Sequence, residues 1–543
     1  MQITHQILKI NLYTGIILFD IGKPLFRLRN INIGPIATYP YLAIKILRSH
    51  FKVSGEKPKK SSPNFIKSIN MSKKHECLCV CPPSPGLEQK IHNTKQKILS
   101  EAGFEDIDEI DILDIRSYTL ITDRPRKTRS HDHSIGAEKA AVVGTKKAIV
   151  LLVDFSDKTA GTSQNHFNNM LFSQGSYATG SMRAFYKEVS YGSLDVTGEV
   201  KGQGGSTNGW FRASKSKAFY TDGGFGFNAY PKNAQNCVED VIDLAQPFVN
   251  FSQYDNSGDG SVEALIVICA GTGGEVSGNG GDFWSHKWGI SPKTVDGVKI
   301  DKYFMAPEDG KVGVMAHELG HLLCGLPDLY DTDSSSSGTG YWYLMAGGSW
   351  NNGGHTPAHP TAWCKVRCGW VNPTVIVNST QSITLKPYNV NKDIVKIPIG
   401  TANSKEYFLL SRRQKIGFDA HLPGEGMPIE HIDDNKGNNT DESHYLVDIE
   451  QADGNRDLNN KNNRGDNKDP YPIARNNSFT NTSNPNSKTY ANTDSQVEVT
   501  NITRSGNNIT GNVKSGNASS WATNKKVLRT FASPHSKKCL GKY

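Results

Sequence analysis

The sequence predicts an α/β unit built on a partly parallel sheet, followed by a β-rich unit. Three observations carry this. "KKAIVLLVDFSD" (146–157) and "EALIVICAG" (263–271) are continuous apolar runs of strand length, the pattern of strands buried on both faces. Amphipathic helical stretches alternate with them, "TGSMRAFYKEVSYGSLDV" closing near Gly192 and "NCVEDVIDLAQPFV" further on. Beyond about Asn378, short alternating runs ("QSITLKPY", "DIVKIPIG", "EYFLLSRR", "QVEVTNIT") are separated by Asn/Gly/Asp/Ser clusters, which is strand-and-turn composition.

These shifts divide the 543 residues into segments. Residues 1–70 are a basic leader or a non-native extension, with Met71 as an alternative start. Residues 71–145 are a helical, propeptide-like segment ("LEQKIHNTKQKILSEAGFEDIDEIDIL") and a polar linker. The α/β unit spans 146–378 and the β-rich unit 379–514, and the tail 515–543 is unassigned.

The net charge of +8 is local. Residues 1–70 hold eleven Lys/Arg against two Asp/Glu, which leaves 50 against 51 in the remainder. A nucleic-acid surface on the main body has no support in that balance. No run of eighteen apolar residues encodes a membrane span. "GIILF", cut short by Asp20, is a poor signal-peptide core.

The nine cysteines are too sparse for a disulfide scaffold. Cys77, Cys79 and Cys81 stand at alternate positions, so a strand puts them on one face, where they can capture a metal or block one. Ordinary thiols near the chain start are the plainer reading. Cys364 and Cys368 share a helical face as small hydrophobes. Acceptor sequons at Asn438, Asn476, Asn481, Asn501, Asn508 and Asn517 matter only on a secretory route.

The chemistry concentrates in "KVGVMAHELGHLLCGLPDLYDTD" (311–333). Residues four apart on a helix differ by about 40° and about 6 Å, so His317 and His321 aim at one point. Two imidazoles there can grip a zinc ion, and Glu318, one position on, can serve as general base toward a water. The plain alternative is a solvated helix with two incidental histidines, which the apolar flanks Val312, Val314, Met315, Leu319, Leu322 and Leu323 disfavour.

A third protein ligand is required. No Asp or Glu occurs between Asp333 and Asp393, so a distant downstream glutamate is excluded and the candidates are local. Asp328 is placed best, after a turn in which Gly325 can take positive φ and Pro327 stiffens the return. Asp331 comes second, with His355 and His359 as remote options. In the metzincin pattern the glycine comes one residue sooner; the extra residue adds about 100° of helical rotation. Met345 stands in the Gly-bounded turn "GTGYWYLMAGGSWNNGG"; a lone methionine is normally core filler, whereas in metzincins a methionine from such a turn lies beneath the zinc as an apolar floor.

At these residues the chain resembles the immune inhibitor A family of secreted zinc metallopeptidases. The resemblance extends to "VDFSD", "TGSMRAFYKEVSYGSLDVTGEV", "FSQYDNSGDGSVEALIVICAG", "WSHKW", "GLPDLYDTD", "LMAGGSW", "HIDD", "HYLVDIEQADG" and "NRGD". It implies a metzincin-like zincin fold with a mixed sheet, zinc-dependent hydrolysis of protein substrates and an extracellular address. It further implies His317, His321 and Asp328 as zinc ligands, Glu318 as base and Met345 as the Met-turn residue. Departures are the extra residue before Gly325, the lack of a clear signal peptide, and Glu430 where the family usually carries an aromatic.

"DNSGDGSVE" places calcium-type oxygen ligands at Asp255, Ser257, Asp259 and Glu263, with Gly260 at the sharp turn. Position twelve is Ile266, so the bidentate Glu is missing and the competing reading is a self-capping Asp/Gly turn. Asp433, Asp434, Glu450, Asp466 and Asp469 form a second, weaker acidic set. The alternative function, in another class, is a catalytically inactive, calcium-stabilised binding or adhesion protein; retention of Glu318 counts against it.

Overall fold

The computed structural model describes residues 78–91, 93, 140–203 and 209–516. The leader 1–70, Cys77, most of the 71–145 segment and the tail from 517 onward lie outside the described residues.

The N-terminal sheet has seven strands: β1 (Cys79–Val80), β2 (Gly144–Asp154), β3 (Leu194–Lys201), β4 (Phe211–Arg212), β5 (Leu265–Cys269), β6 (His286–Val295) and β7 (Val298–Pro307). Their order is β1-β6-β7-β5-β2-β3, with β4 also on β2. The partners β3, β4 and β5 run parallel to β2, and β7 runs parallel to β5. Both apolar runs therefore lie inside the sheet, and every residue of β5 is buried. The hairpin β6–β7 is antiparallel and forms the border of the sheet proper, where β1 adds antiparallel as a further strand. The sheet is thus mixed, as the alternation of strands and helices predicts.

The predicted helices form at Met182–Val189 and Ala234–Ala245. Ser181 and Asn233 cap them by accepting from the N–H groups of Ala184 and Asn236. The helix carrying both histidines runs Val312–Leu322 and is buried throughout. Tyr186 reaches it from the first of these helices, its hydroxyl donating to the Ala316 carbonyl at 2.6 Å.

Gly313 explains the closeness of its other neighbour. A Cβ there would lie 1.9 Å from the Ser349 carbonyl oxygen, a backbone atom that cannot swing aside. Gly313→Ala is expected to cost about 1–3 kcal/mol by overpacking, read as a lower denaturant midpoint at unchanged m-value.

The C-terminal part holds two antiparallel-rich sheets. The first comprises β8 (Thr374–Val375), β10 (Ile394–Pro398), β11 (Glu406–Ser411), β12 (Ile429–Asp433) and β13 (Val447–Ile449); the second comprises β9 (Thr380–Leu385), β14 (Val497–Ser505) and β15 (Asn508–Ser515). Strand β11 shows how they pack. Tyr407 and Leu409 join the large core shared with the N-terminal sheet, whereas Phe408 and Leu410 join the core between the two C-terminal sheets. One sheet thus serves two cores, so "YFLLS" is buried without a break.

Glu430, the departure noted above, has a definite task in β12. Its carboxylate accepts from the backbone N–H groups of Ala362 (2.9 Å) and Trp363 (3.1 Å), where the helix Ala362–Arg367 begins. Cys364 and Cys368 are both buried in the large core, as small hydrophobes would be.

Candidate metal centre

Three side chains converge beneath the histidine helix. His317 Nε2 and His321 Nε2 stand 3.0 Å apart, and Asp328 Oδ1 lies 3.2 and 3.1 Å from them. Each ring is oriented from behind: His317 Nδ1 meets the Leu344 carbonyl at 2.9 Å and His321 Nδ1 meets the Leu326 carbonyl at 2.6 Å. A carbonyl only accepts, so each Nδ1 carries the hydrogen, and a neutral ring then turns a bare lone pair inward at Nε2.

Two lone pairs and a carboxylate oxygen are all acceptors, and acceptors alone cannot bond one another. A cation resolves the arrangement. Four donors at about 2.0–2.1 Å in a tetrahedron stand about 3.3–3.4 Å apart, close to the spacing here. The residues therefore fit a zinc ion. Burial opposes ionisation of Asp328, and only positive charge at the imidazole side, as a protonated His321 or His317 ring would carry, holds its carboxyl below the usual carboxylate range. Burial is also the main influence on His321, lowering its pKa and favouring the neutral ring.

The extra residue before Gly325 is absorbed at the helix end. Gly325 takes φ +62° and donates to the His321 carbonyl, while the Leu326 N–H reaches back to the Gly320 carbonyl at 3.2 Å. That second bond spans one residue more than the usual Schellman closure. The wider loop takes up the insertion and delivers Asp328 to the imidazoles.

Met345 is fully buried. Its sulfur presses so closely on the helix that a Cβ at Gly320 would come within 2.9 Å of it. Its carbonyl accepts from the Leu329 N–H at 2.8 Å, tying the Asp328 turn to the methionine turn. Glu318 is fully buried on the same helix.

The other candidates lie elsewhere. Asp331 groups with Asp333 and Glu442, and burial pushes its carboxyl up to about 6. His359 sits between Glu188 (2.8 Å) and Lys365 (3.1 Å), and the His355 backbone closes a turn on Asn352. The weaker acidic set is dispersed: Asp433 meets His444, Asp434 meets Trp363, Glu450 meets His431, and Asp466 accompanies Asp469, which meets Trp342.

In the calcium-type loop, Asp255, Asp259 and Glu263 bring carboxylate oxygens within 4.8 Å of one another, and Ser257 is exposed. Asp255 already accepts from the N–H groups of Gly258, Asp259 and Gly260, with Gly260 at φ +81°. Glu263 Oε1 is buried without a hydrogen-bond partner among the described residues.

Sequence reasoning left three residues without a role. Tyr330, Trp284 and Trp350 each donate to a backbone carbonyl of the segment 78–84, at Val80 (2.8 Å), Cys81 (2.7 Å) and Pro82 (2.9 Å). Their signal was present, since each sits in a block quoted for the resemblance. What the blocks could not tell is that all three face one short stretch of chain.

Residues 136–374 match the model of the immune inhibitor A peptidase M6 catalytic domain. The pre-pro-metalloprotease PrtV of Vibrio cholerae serotype O1 is 30% identical over 298 residues, covering 44% of this chain and 31% of that protein. Immune inhibitor A of Bacillus thuringiensis subsp. alesti is 34% identical over 258 residues, covering 38% and 36%. The chain thus spans about a third of the length of the curated relatives it matches. With a glycine-closed His-Glu-x-x-His helix inside the matched span, residues 136–374 belong to the immune inhibitor A peptidase family, M6.

Proposed function

We propose that the protein is a zinc-dependent endopeptidase of metzincin-like architecture. His317, His321 and Asp328 would hold the ion, Glu318 would act as general base, and Met345 would floor the site. The carrying observation is the convergence of two inward-facing imidazole nitrogens and a carboxylate oxygen that cannot bond one another.

A bound zinc ion would supply Lewis acidity toward a peptide carbonyl and a water molecule. Glu318 would take the proton from that water and pass it to the departing amine nitrogen. The Leu344 and Leu326 carbonyls would keep both rings in the ligating tautomer throughout. Protein chains are the substrate class, and an extracellular address follows the family resemblance. Among the described residues no helix is long and apolar enough to cross a membrane.

Casein cleavage measured with and without a chelator tests this. Loss on chelation and return on adding zinc is expected; chelator-resistant cleavage would overturn the zinc reading. The inactive binding-protein alternative is disfavoured by retention of Glu318 together with an oriented ligand set.

The loop of Asp255, Ser257, Asp259 and Glu263 is read as a calcium clip, supported by the under-bonded Glu263 oxygen. A melting midpoint unmoved by calcium would remove that reading.

A further inference from the structure

The metal centre has a neighbour from far away in the chain. The Cys79 sulfur, a ring nitrogen of His321 and an oxygen of Asp328 all lie within 4.8 Å of one another. Cys79 belongs to β1, which pairs antiparallel along the outer edge of β6, with Cys79 opposite Lys287 and Val80 opposite His286. The pairing continues as the Cys81 N–H donates to the Ser285 carbonyl at 3.1 Å.

The cleft holds this segment through its backbone. Three successive carbonyls, of Val80, Cys81 and Pro82, each accept from one ring donor: the Tyr330 hydroxyl, the Trp284 indole and the Trp350 indole. Strand addition and carbonyl-directed donors recognise extended peptide whatever its side chains. Further along, the Ser84 N–H donates to the Glu275 carbonyl at 2.8 Å, and Leu87 packs with Val80, Phe225 and Trp284. An ion pair of 2.5 Å between Glu88 and Arg464 fastens the end. Cys81 is buried too, and its thiol pKa is raised by burial first and then by the nearby carboxylates of Glu275, Glu318 and Asp328.

We propose that Cys79 is the fourth ligand of the same metal ion, and that residues 78–84 thereby occupy the cleft in place of substrate. The inference rests on the zinc reading above. Thiolate is a strong zinc donor, and a fourth protein ligand closes the open position that catalysis needs. On coordination the thiol releases its proton to solvent and a sulfur–metal bond forms. On release that bond breaks, the sulfur takes up a proton, and solvent enters the vacated cleft. No electron is transferred in either direction. The form described here is the latent one, and the Tyr330, Trp284 and Trp350 donors become available to a substrate backbone only after the segment leaves.

The test is cobalt substitution of the full chain, read by absorption, beside the variant Cys79→Ser. Wild type is expected to show a sulfur-to-cobalt charge-transfer band together with the visible ligand-field bands. The variant should keep the ligand-field bands and lose the sulfur band. Its casein cleavage should exceed that of wild type by on the order of tenfold or more, the gain expected when a cleft blocked in about nine-tenths of molecules is opened. Bound cobalt without a sulfur band in wild type would overturn this inference and leave the zinc reading intact; Cys79 would then be packing as a small hydrophobe. A sulfur band that survives in Cys79→Ser would assign the ligand to another thiol and equally overturn it. Failure of folded protein to bind cobalt would overturn both. Survival of the ligand-field bands shows in the same experiment that the variant has folded.

Discussion

Glu318→Gln, made in a Cys79→Ser background so that the cleft is open, is expected to lower the rate of peptide cleavage by about two to four orders of magnitude, the usual contribution of a positioned general base. The substitution keeps the shape of a fully buried side chain and removes only its ability to take a proton. None of the proposed ligand atoms is changed, so zinc content should match that of the parent. The pairing of lost turnover with retained metal separates a base from a structural residue. Cleavage within a factor of about two of the parent would exclude Glu318 as base, because removing a positioned general base costs far more than that.

The second large effect is expected from Arg413, which is wholly buried together with Asp419. The pair is bidentate: Arg413 Nε donates to Asp419 Oδ2 at 2.9 Å and Nη2 donates to Oδ1 at 2.6 Å. Arg413 Nη1 also donates to the Trp342 carbonyl, three residues before Met345. The C-terminal sheets thereby brace the turn that lies under the metal centre. Arg413→Met should cost about 3–5 kcal/mol, since the Asp419 charge would stay buried with only neutral donors from His359 and Asn389. The double variant Arg413→Met with Asp419→Leu should recover much of that loss, because no stranded charge remains. Denaturant titration of the two chains checks both. Zinc affinity should weaken in the single variant as the methionine turn loosens.

Much of the α/β part was legible because local pattern and tertiary demand agree. Continuous apolar runs became β2 and β5 inside the parallel region, and the amphipathic stretches became helices. His317 and His321 were readable because helical geometry alone brings residues four apart together. Asp328 was readable as a candidate only. Whether the extra residue could be absorbed depended on Leu326 reaching the Gly320 carbonyl, a choice among backbone closures that sequence spacing does not make.

What stayed hidden depends on contacts between distant segments. Alternation of Cys77, Cys79 and Cys81 suggested a strand, but nothing in that spacing says which sheet edge receives it. Its partners, His286 and Lys287, lie about two hundred residues away in sequence. Glu430 looked like a departure from the family pattern and proved to close the start of a helix on another segment. Tyr330, Trp284 and Trp350 had no role in the sequence, because the peptide that connects them lies far off along the chain. In each case the chemistry was visible and its address was not.

On the proposed reading, His317, His321 and Asp328 hold one zinc ion. Zinc content of the purified, folded chain by mass spectrometry, beside His321→Ala and Asp328→Ala, tests it most directly. One zinc per chain, with a clear fall in both variants, is the predicted result. A folded chain that takes up no zinc when supplied with it, or one whose zinc is untouched by both substitutions, would contradict the account.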